Sequence, residues 1–502
     1  MEGKNQKQAL GEVDEFIRRC ERDATVYEER VDMILNPDGD LGVSDDVAPD
    51  GWRKSDLGNA ERLVARHGHD LKYCRENRTW YAWDNRRWAP DVNGELERRA
   101  QNTIRNLCRG ADSLEKSQDR AEIIRWSLQS ESARRLADMI RVAESHGTVA
   151  ITRGELDADS CYLGCLNGVL DTRDGKLLPH DRKYLITKLA PVEYDPDAKF
   201  DLWDKFLNDT TGGDAELRGF LQRAVGCSLT AEPADDDRFF FIHGPPAGGK
   251  STFIEAIRAV FGDYAKAANF DTITTHYNAG SARSDLARLN DARLVSMSEI
   301  PEENRLDEVV LASLTGGDTI AARFHYQGEF EFSPRFKLWI AGNNEPTIKN
   351  IDSPIWRRLL KIPFTHVIPE SERDPNVKTT LRDNPHARAA VLAWAVKGCI
   401  EWRKHGLNPP DSVKTATATY RAEQDTLAEF IESRCVIGAE YQANKDNLYR
   451  EYQDWAESTR LRPADRLNAR TFARRINADP RFDIAGRKIV YGIGLQADGT
   501  EL

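Results

Sequence analysis

Residues 239–252 read Phe-Phe-Phe-Ile-His-Gly-Pro-Pro-Ala-Gly-Gly-Lys-Ser-Thr, a strand-like apolar run that passes directly into a glycine-rich loop. The loop fills the pattern G-x-x-x-x-G-K-[ST] with Gly244, Gly249, Lys250 and Ser251. Phe253, Ile254, Ile257, Val260 and Phe261 then recur at helical spacing, and Gly262 stands where a helix stops. Strand, loop and helix in that order predict an α/β fold of the P-loop NTPase type. Backbone N–H groups of such a loop wrap a polyphosphate, the lysine meets the β/γ charge, and the serine hydroxyl reaches Mg²⁺. The whole stretch Gly244, Pro245, Pro246, Ala247, Gly248, Gly249, Lys250, Ser251 and Thr252 is therefore expected to hold ATP with Mg²⁺.

A chain of 502 residues leaves room for three or four domains around that core. With 40% hydrophobic residues and a mean hydropathy of −0.62, it reads as globular. No apolar run approaches the ~20 residues of a membrane span, and the polar start Met-Glu-Gly-Lys lacks the apolar centre of a signal peptide. No membrane partner is expected. Of eight cysteines, only Cys161 and Cys165 lie close together, without the second pair or histidines of a zinc site, so free thiols are expected. The net charge of −11 argues against coating nucleic acid with the whole surface. It leaves open a local basic patch or an internal channel.

The chain divides by composition. Residues 1–55 form a polar tail and linker, with a weak amphipathic helix at Leu10, Val13, Phe16 and Ile17. Residues 56–200 are mixed and mainly helical, interrupted by two aromatic strands joined at Asp84-Asn85. A helical connector over 201–237 leads into the nucleotide core at 238–365. A helical extension spans 366–410, ending at Gly406-Leu-Asn-Pro-Pro410, and a C-terminal domain spans 411–502.

Three further positions in the core carry chemistry. Arg293-Leu-Val-Ser-Met-Ser-Glu299 reads as a buried strand ending in a carboxylate. Such a carboxylate can polarise the attacking water or hold Mg²⁺ through water, although an ordinary strand end reads the same. Phe336-Lys-Leu-Trp-Ile-Ala341 runs into Gly342-Asn343-Asn344, where an amide can orient a water on the γ-phosphate or simply make a turn. Arg357 and Arg358 precede another apolar strand, and either snorkel to solvent or reach a nucleotide held by a neighbouring subunit. The expected catalytic set is Lys250, Glu299, Asn343, Arg357 and Arg358, with Ser251 and Glu299 toward the metal.

These motifs, with Leu314-Thr-Gly-Gly-Asp318 and Ile355-Trp-Arg-Arg-Leu-Leu-Lys-Ile-Pro-Phe364, resemble the superfamily 3 helicases, in the phage and plasmid primase–helicase branch related to poxvirus-type NTPases. The resemblance covers about residues 60–495. It takes in Leu166-Asn-Gly-Val-Leu-Asp171 before the core, and Asp425-Thr-Leu-Ala-Glu-Phe430 and Leu448-Tyr-Arg-Glu-Tyr452 after it. It implies an AAA+-like core and a hexameric ring with ATP at subunit interfaces, moving 3′→5′ on single-stranded or forked DNA. A cytoplasmic location, the host's if phage-encoded, and a separate primase or polymerase partner follow as expectations. Two departures stand out. Ala312 occupies the place of a family lysine, and the first 55 residues cannot house the primase domain many members carry, so no primer synthesis is expected.

DNA contacts are expected in two places. Thr319 to Ser333 alternates as a hairpin that, in the family, projects into the channel, which would place Arg323 and His325 near its tip. A solvated hairpin face is the alternative. Between Ser458 and Val490 stand nine basic residues against three acids, and a helix followed by a strand suggests a winged-helix-like domain with Arg470, Arg474 and Arg475 toward DNA. A subunit contact would read alike. Two other functions share the loop: a ring that remodels partners without unwinding, and a small-molecule phosphotransferase.

Overall fold

The structure, a computed structural model, describes residues 53–110, 117–232, 237–274, 284–301, 305–323, 329–348, 351–463, 465–485 and 488–496. The tail over 1–52, His325 with the hairpin tip, and Arg487 lie outside the described residues.

The chain forms two compact units, Met1–Asp159 with His180–Lys188, and Ser160–Pro179 with Leu189–Leu502. In the first, α1 (Asp56–His67) precedes the strands β1 (Leu71–Cys74), β2 (Thr79–Trp83) and β3 (Trp88–Pro90), then α2 (Glu95–Gly110), α3 (Ser117–Ser130), α4 (Ala133–Ala143) and β4 (Ala150–Ile151). The sheet order is β3-β2-β1-β4, with β4 parallel to β1 and the others antiparallel. The aromatic hairpin expected from sequence is present. Asp84 Oδ1 accepts from the Arg86 and Arg87 amides at 2.9 and 2.8 Å, and Asn85 takes the turn at φ 73°. Leu63, Val64, Tyr73, Ile104 and Met139 close the helices over the sheet. The returning segment is tied in by Arg182, whose Nε and Nη2 each lie 2.7 Å from Asp70 Oδ1.

The second unit opens with a three-stranded meander, β5 (Tyr162–Cys165), β6 (Gly168–Asp171) and β7 (Lys176–Leu178). Here the 56–200 domain read from sequence needs correction. Leu163, Cys165 and Leu170 are buried in the same cluster as Tyr264, Leu294 and Trp339 of the 238–365 core, and Arg293 donates to the Tyr162 and Leu229 carbonyls at 2.6 Å.

Helices α5 (Asp201–Thr210) and α6 (Ala215–Ser228) lead to β8 (Phe239–His243), α7 (Lys250–Phe261), β9 (Ala265–Ala267), the one-turn α8 (Ser284–Ala287) and β10 (Leu294–Ser298). Then follow α9 (Glu308–Thr315), the hairpin β11 (Ile320–Arg323) and β12 (Glu329–Phe332), β13 (Lys337–Gly342), the one-turn α10 (Ile355–Arg358) and β14 (Leu359–Pro363). Five of these strands form one parallel sheet in the order β14-β8-β13-β10-β9. The Phe-Phe-Phe-Ile run is explained by this placement. Phe240 and Ile242 pack with Trp203, Phe253 and Trp339 on one face, while Phe239 and Phe241 pack with Met297, Ile340 and Tyr420 on the other. A central parallel strand is buried on both faces, so it reads as continuously apolar rather than alternating.

Helices α11 (Val377–Asp383) and α12 (Pro385–His405) complete the first face. The break at Gly406–Pro410 does not end the core, because α13 (Asp411–Glu423) continues it. Tyr420 is fully buried in the second-face cluster and donates through its hydroxyl to the Pro346 carbonyl. Beyond it lie α14 (Thr426–Arg434), β15 (Cys435–Asn444), α15 (Lys445–Ser458), α16 (Ala469–Ala478), β16 (Asp483–Ala485) and β17 (Ile489–Leu495). Their antiparallel sheet has the order β15-β17-β16 and packs with the helices around Phe430, Tyr452, Trp455, Phe472 and Ile476. Among the described residues, no helix is long and apolar enough to cross a membrane, and the seven described cysteines form no disulfide.

Candidate functional site

The loops that follow β8, β10 and β13 meet at the carboxyl ends of neighbouring strands, where open α/β sheets leave a crevice. A cleft of about 290 Å³ opens there. Lys250, Ser251, Glu299 and Asn343 all line it, so four residues picked from three separate motifs share one site.

The loop's backbone depends on its glycines. Gly249 sits at φ +85°, and a Cβ there would lie 2.2 Å from Thr210 Cγ2; a Cβ on Gly244 would lie 2.0 Å from the Phe364 carbonyl oxygen. Ala247 is also left-handed at φ 62°. Lys250 curls back on the loop, its Nζ donating to the carbonyls of Gly244 at 2.6 Å and Pro245 at 2.7 Å. Burial lowers its pKa. Ser251 is exposed in the first turn of α7.

Glu299 is exposed just past β10 and holds a left-handed φ of 64°, an unfavourable conformation for a residue with a Cβ. Asn343 is exposed past β13. Its neighbour Asn344 is committed to structure instead, its Nδ2 donating to the Ile300 carbonyl at 3.1 Å and tying the β13 loop to the β10 loop. Beneath them, His243 Nε2 lies 3.1 Å from the Asn343 carbonyl oxygen and its Nδ1 lies 3.2 Å from Glu345 Oε1. Glu345 also pairs with Lys361 of β14. Burial lowers the His243 pKa, Glu345 opposes it, and Lys361 adds to the lowering.

Sequence reasoning missed three charged residues of the cleft: Glu255, Arg258 and Lys378. Glu255 and Arg258 follow Ser251 by four and seven residues on α7, so helical spacing could have revealed them. Lys378 comes from α11 and pairs with Glu255 at 2.6 Å, an ion pair that no local pattern announces.

The arginine pair lies elsewhere. Leu359 pairs with Phe239 and Pro363 with His243, so Arg357 and Arg358 stand at the opposite end of β14 from the cleft. The four residue steps from Leu359 to Pro363 alone separate the two ends by roughly 13 Å at strand spacing. Arg358 is taken up locally, its Nη1 donating to the Ala312 carbonyl at 2.7 Å and to Thr315 Oγ1 at 3.1 Å, with Nη2 3.0 Å from Asp237. It thus caps the carboxyl end of α9, and Ala312 contributes by its main chain. Arg357 is exposed.

The predicted DNA-binding residues fare unevenly. Arg323 is exposed at the end of β11, in register with Glu329. Arg470 and Arg474 are exposed on α16, and Arg474 lies 3.6 Å from Asp352. Arg475 departs from the expected face. Its Nη2 lies 2.6 Å from both carboxylate oxygens of Asp425, and the pair is largely buried, so this guanidinium ties α16 to the start of α14.

Residues 60–212 match the family model described as D5 N terminal like, and residues 242–358 match a family of unknown function (DUF5906). The chain is 28% identical over 333 residues to "Putative helicase L207/L206" of Acanthamoeba polyphaga mimivirus, covering 60% of this chain and 34% of that protein. It is also 28% identical to "Putative helicase 022R" of Frog virus 3 (isolate Goorha), covering 61% and 31%. "Putative primase C962R" of African swine fever virus is 23% identical, covering 60% and 34%. The chain thus spans about a third of the length of these curated relatives. A solved apo structure of the NrS-1 C-terminal region superposes with a TM-score of 0.46 at 13% identity, over 76% of this chain and 80% of that one. The chain is thus similar to viral proteins named as putative helicases and primases.

Proposed function

We propose that this chain is a superfamily 3 motor: an ATP-hydrolysing, DNA-translocating ring, expected to be a hexamer moving 3′→5′ during replication of a mobile element. The observation that carries the reading is the meeting of Lys250, Ser251, Glu299 and Asn343 in one cleft, while Arg357 is exposed at the far end of the same sheet. The similarity to viral proteins named as helicases and primases supports the replication role.

In this reading the loop from Gly244 to Thr252 cradles the phosphates, and Lys250 leaves its own loop carbonyls to meet the β/γ charge. Glu299 orients and deprotonates a water as its oxygen bonds to the γ-phosphorus and the bond to the β-bridging oxygen breaks. The Asn343 amide holds that water and reports the γ-phosphate. Arg357, too far from its own cleft, stabilises the transferred phosphoryl group in the cleft of a second copy. The residues fit Mg²⁺: Ser251 and Glu299 offer exposed oxygen donors, and the described residues contain no cluster of three His, Cys, Asp or Glu that would hold a metal unaided. When bound there, Mg²⁺ neutralises charge on the phosphates. Arg323, Arg470 and Arg474 supply the exposed cations for DNA, in a hairpin and a winged-helix-like domain.

The test is ATP-dependent unwinding of a forked DNA with a 3′ tail, together with the oligomeric mass in the presence of an ATP analogue and DNA. Unwinding by a ring supports the proposal. DNA-stimulated hydrolysis without unwinding would favour a remodelling ring, and hydrolysis indifferent to DNA would sink both.

A further inference from the structure

The cluster under the cleft joins three adjacent strands at the end where chemistry is proposed. His243 ends β8 and leads into the phosphate loop, Glu345 follows the Asn343 turn after β13, and Lys361 lies on β14. Lys361 is 8% exposed, and its Nζ also lies 5.3 Å from the Tyr420 ring centroid. A buried ammonium needs a partner, and Glu345 is that partner. The carboxylate is thereby fixed, and it faces the His243 Nδ1 at 3.2 Å. Both ring nitrogens face oxygens, Nε2 lying 3.1 Å from the Asn343 main-chain oxygen, so both contacts are hydrogen bonds only while the ring carries both protons, a form that Glu345 favours against burial and Lys361. Phe241, whose ring centroid is 5.6 Å from that of His243, packs along it.

We infer that Glu345 is a positioning residue: anchored by Lys361, it holds the His243 ring against the Asn343 carbonyl and so sets the distance between the phosphate loop and the Asn343 amide. The inference rests on the proposed nucleotide hydrolysis. Its physical content is geometric. The Asn343 side chain stands exposed in the cleft, so its place depends on its main chain. That main chain is held to β8 by ladder pairing up to Gly342–His243 and, one residue further, by the His243 side chain. A displacement of about 1 Å at a reacting centre costs on the order of 10²-fold in rate.

The experiment measures steady-state ATP hydrolysis and the melting temperature for the whole chain with Glu345→Gln, His243→Ala and the pair Glu345→Leu/Lys361→Met, beside Lys250→Ala. Glu345→Gln and His243→Ala are expected to lower kcat by roughly 10- to 100-fold with KM changed less than about threefold, and their combination should cost no more than either alone. The apolar pair removes both buried charges, so it should melt near the wild type yet keep the low kcat. Recovery of kcat in the apolar pair would show that the cluster serves only stability and would overturn the inference. So would an unchanged kcat in folded Glu345→Gln. If the wild type shows no hydrolysis that Lys250→Ala removes, the nucleotide reading itself fails, and the inference with it.

Discussion

In the cleft after β8, β10 and β13, Ser251, Glu299 and Asn343 are exposed and their side chains form no hydrogen bond or ion pair among the described residues. The C-terminal domain treats its charges differently. Arg462 pairs with Asp465, Arg475 with Asp425 and Arg481 with Asp479, at 2.6–2.7 Å, while Arg466 Nε donates to the Leu461 carbonyl. Lys488 lies 3.9 Å from Asp446. A run of nine basic residues thus presents Arg460 and Arg470 as its unengaged exposed cations among the described residues, with Arg474 only loosely engaged. Ser251, Glu299 and Asn343 thus keep their side-chain donors and acceptors unengaged among the described residues, whereas residues chosen by a charge count are largely spent on the fold.

The sharpest way to break this contrast is at Lys250. Lys250→Ala should lower ATP hydrolysis by more than about 10³-fold while leaving the melting temperature within a few degrees, because among the described residues the side chain bonds only to its own loop. Appreciable DNA-stimulated hydrolysis in that variant would mean that the cleft is not the reacting site.

The adjacent arginines give the next largest effect and set the two behaviours side by side. Arg357→Ala should reduce hydrolysis by about 10²- to 10³-fold without loss of stability, and mixing it with Lys250→Ala should restore part of the rate. Arg358→Ala should instead cost about 1–3 kcal/mol in denaturant unfolding, since it removes the bonds to the Ala312 carbonyl, Thr315 Oγ1 and Asp237. Equal behaviour of the two variants would contradict the division.

A smaller effect is expected on DNA. Arg470→Ala with Arg474→Ala should weaken binding and flatten its salt dependence, the log–log slope falling by about one for each phosphate that is no longer neutralised. Arg475→Ala should leave that slope alone and lower stability. A salt slope that drops only with Arg475→Ala would reverse the assignment.

The smallest effect lies in the first unit. Burial alone would raise the Asp70 carboxyl, but hydrogen bonds from His69 and Arg182 outweigh it and hold the pKa at about 2, against 3.8 ordinarily. A depressed carboxyl stabilises the fold fully above its unfolded pKa and loses that contribution as the pH falls through the folded one. Asp70→Asn should therefore cost about 1 kcal/mol near pH 7, after allowance for solvent screening, and almost nothing near pH 2. A cost independent of pH between 7 and 2 would show that the carboxylate charge is not involved.

What was legible in the sequence followed from locality. The strand–loop–helix around Gly244 to Thr252, the aromatic hairpin at Asp84-Asn85 and the alternation of Ile320 with Ala322 are fixed by neighbours within a few residues, and all three are found where the sequence placed them. The four cleft residues were also legible, because each closes a buried strand or opens a helix. Other features were hidden because they depend on partners far along the chain. Nothing near Arg475 distinguishes it from Arg474, yet Asp425 lies fifty residues earlier. Nothing near Arg358 marks it as the cap of α9, forty-six residues before it. The meander at 160–179 looks like part of the preceding domain until Tyr264 and Arg293 are seen to bind its backbone.

Helix α13 bears on how this protein can be taken apart. Its Tyr420 hydroxyl meets the Pro346 carbonyl, Gln424 Oε1 accepts from the Ile348 amide at 3.3 Å, and Arg421 Nε donates to the Ile351 carbonyl at 3.0 Å. Thr417 Oγ1 accepts from the Lys361 amide at 3.0 Å. A truncation at the inviting Pro409-Pro410 would strip four main-chain groups of their partners and bare the rings of Phe241 and Trp356 beside Tyr420. An excised core therefore has to carry its C-terminal cut past Gln424.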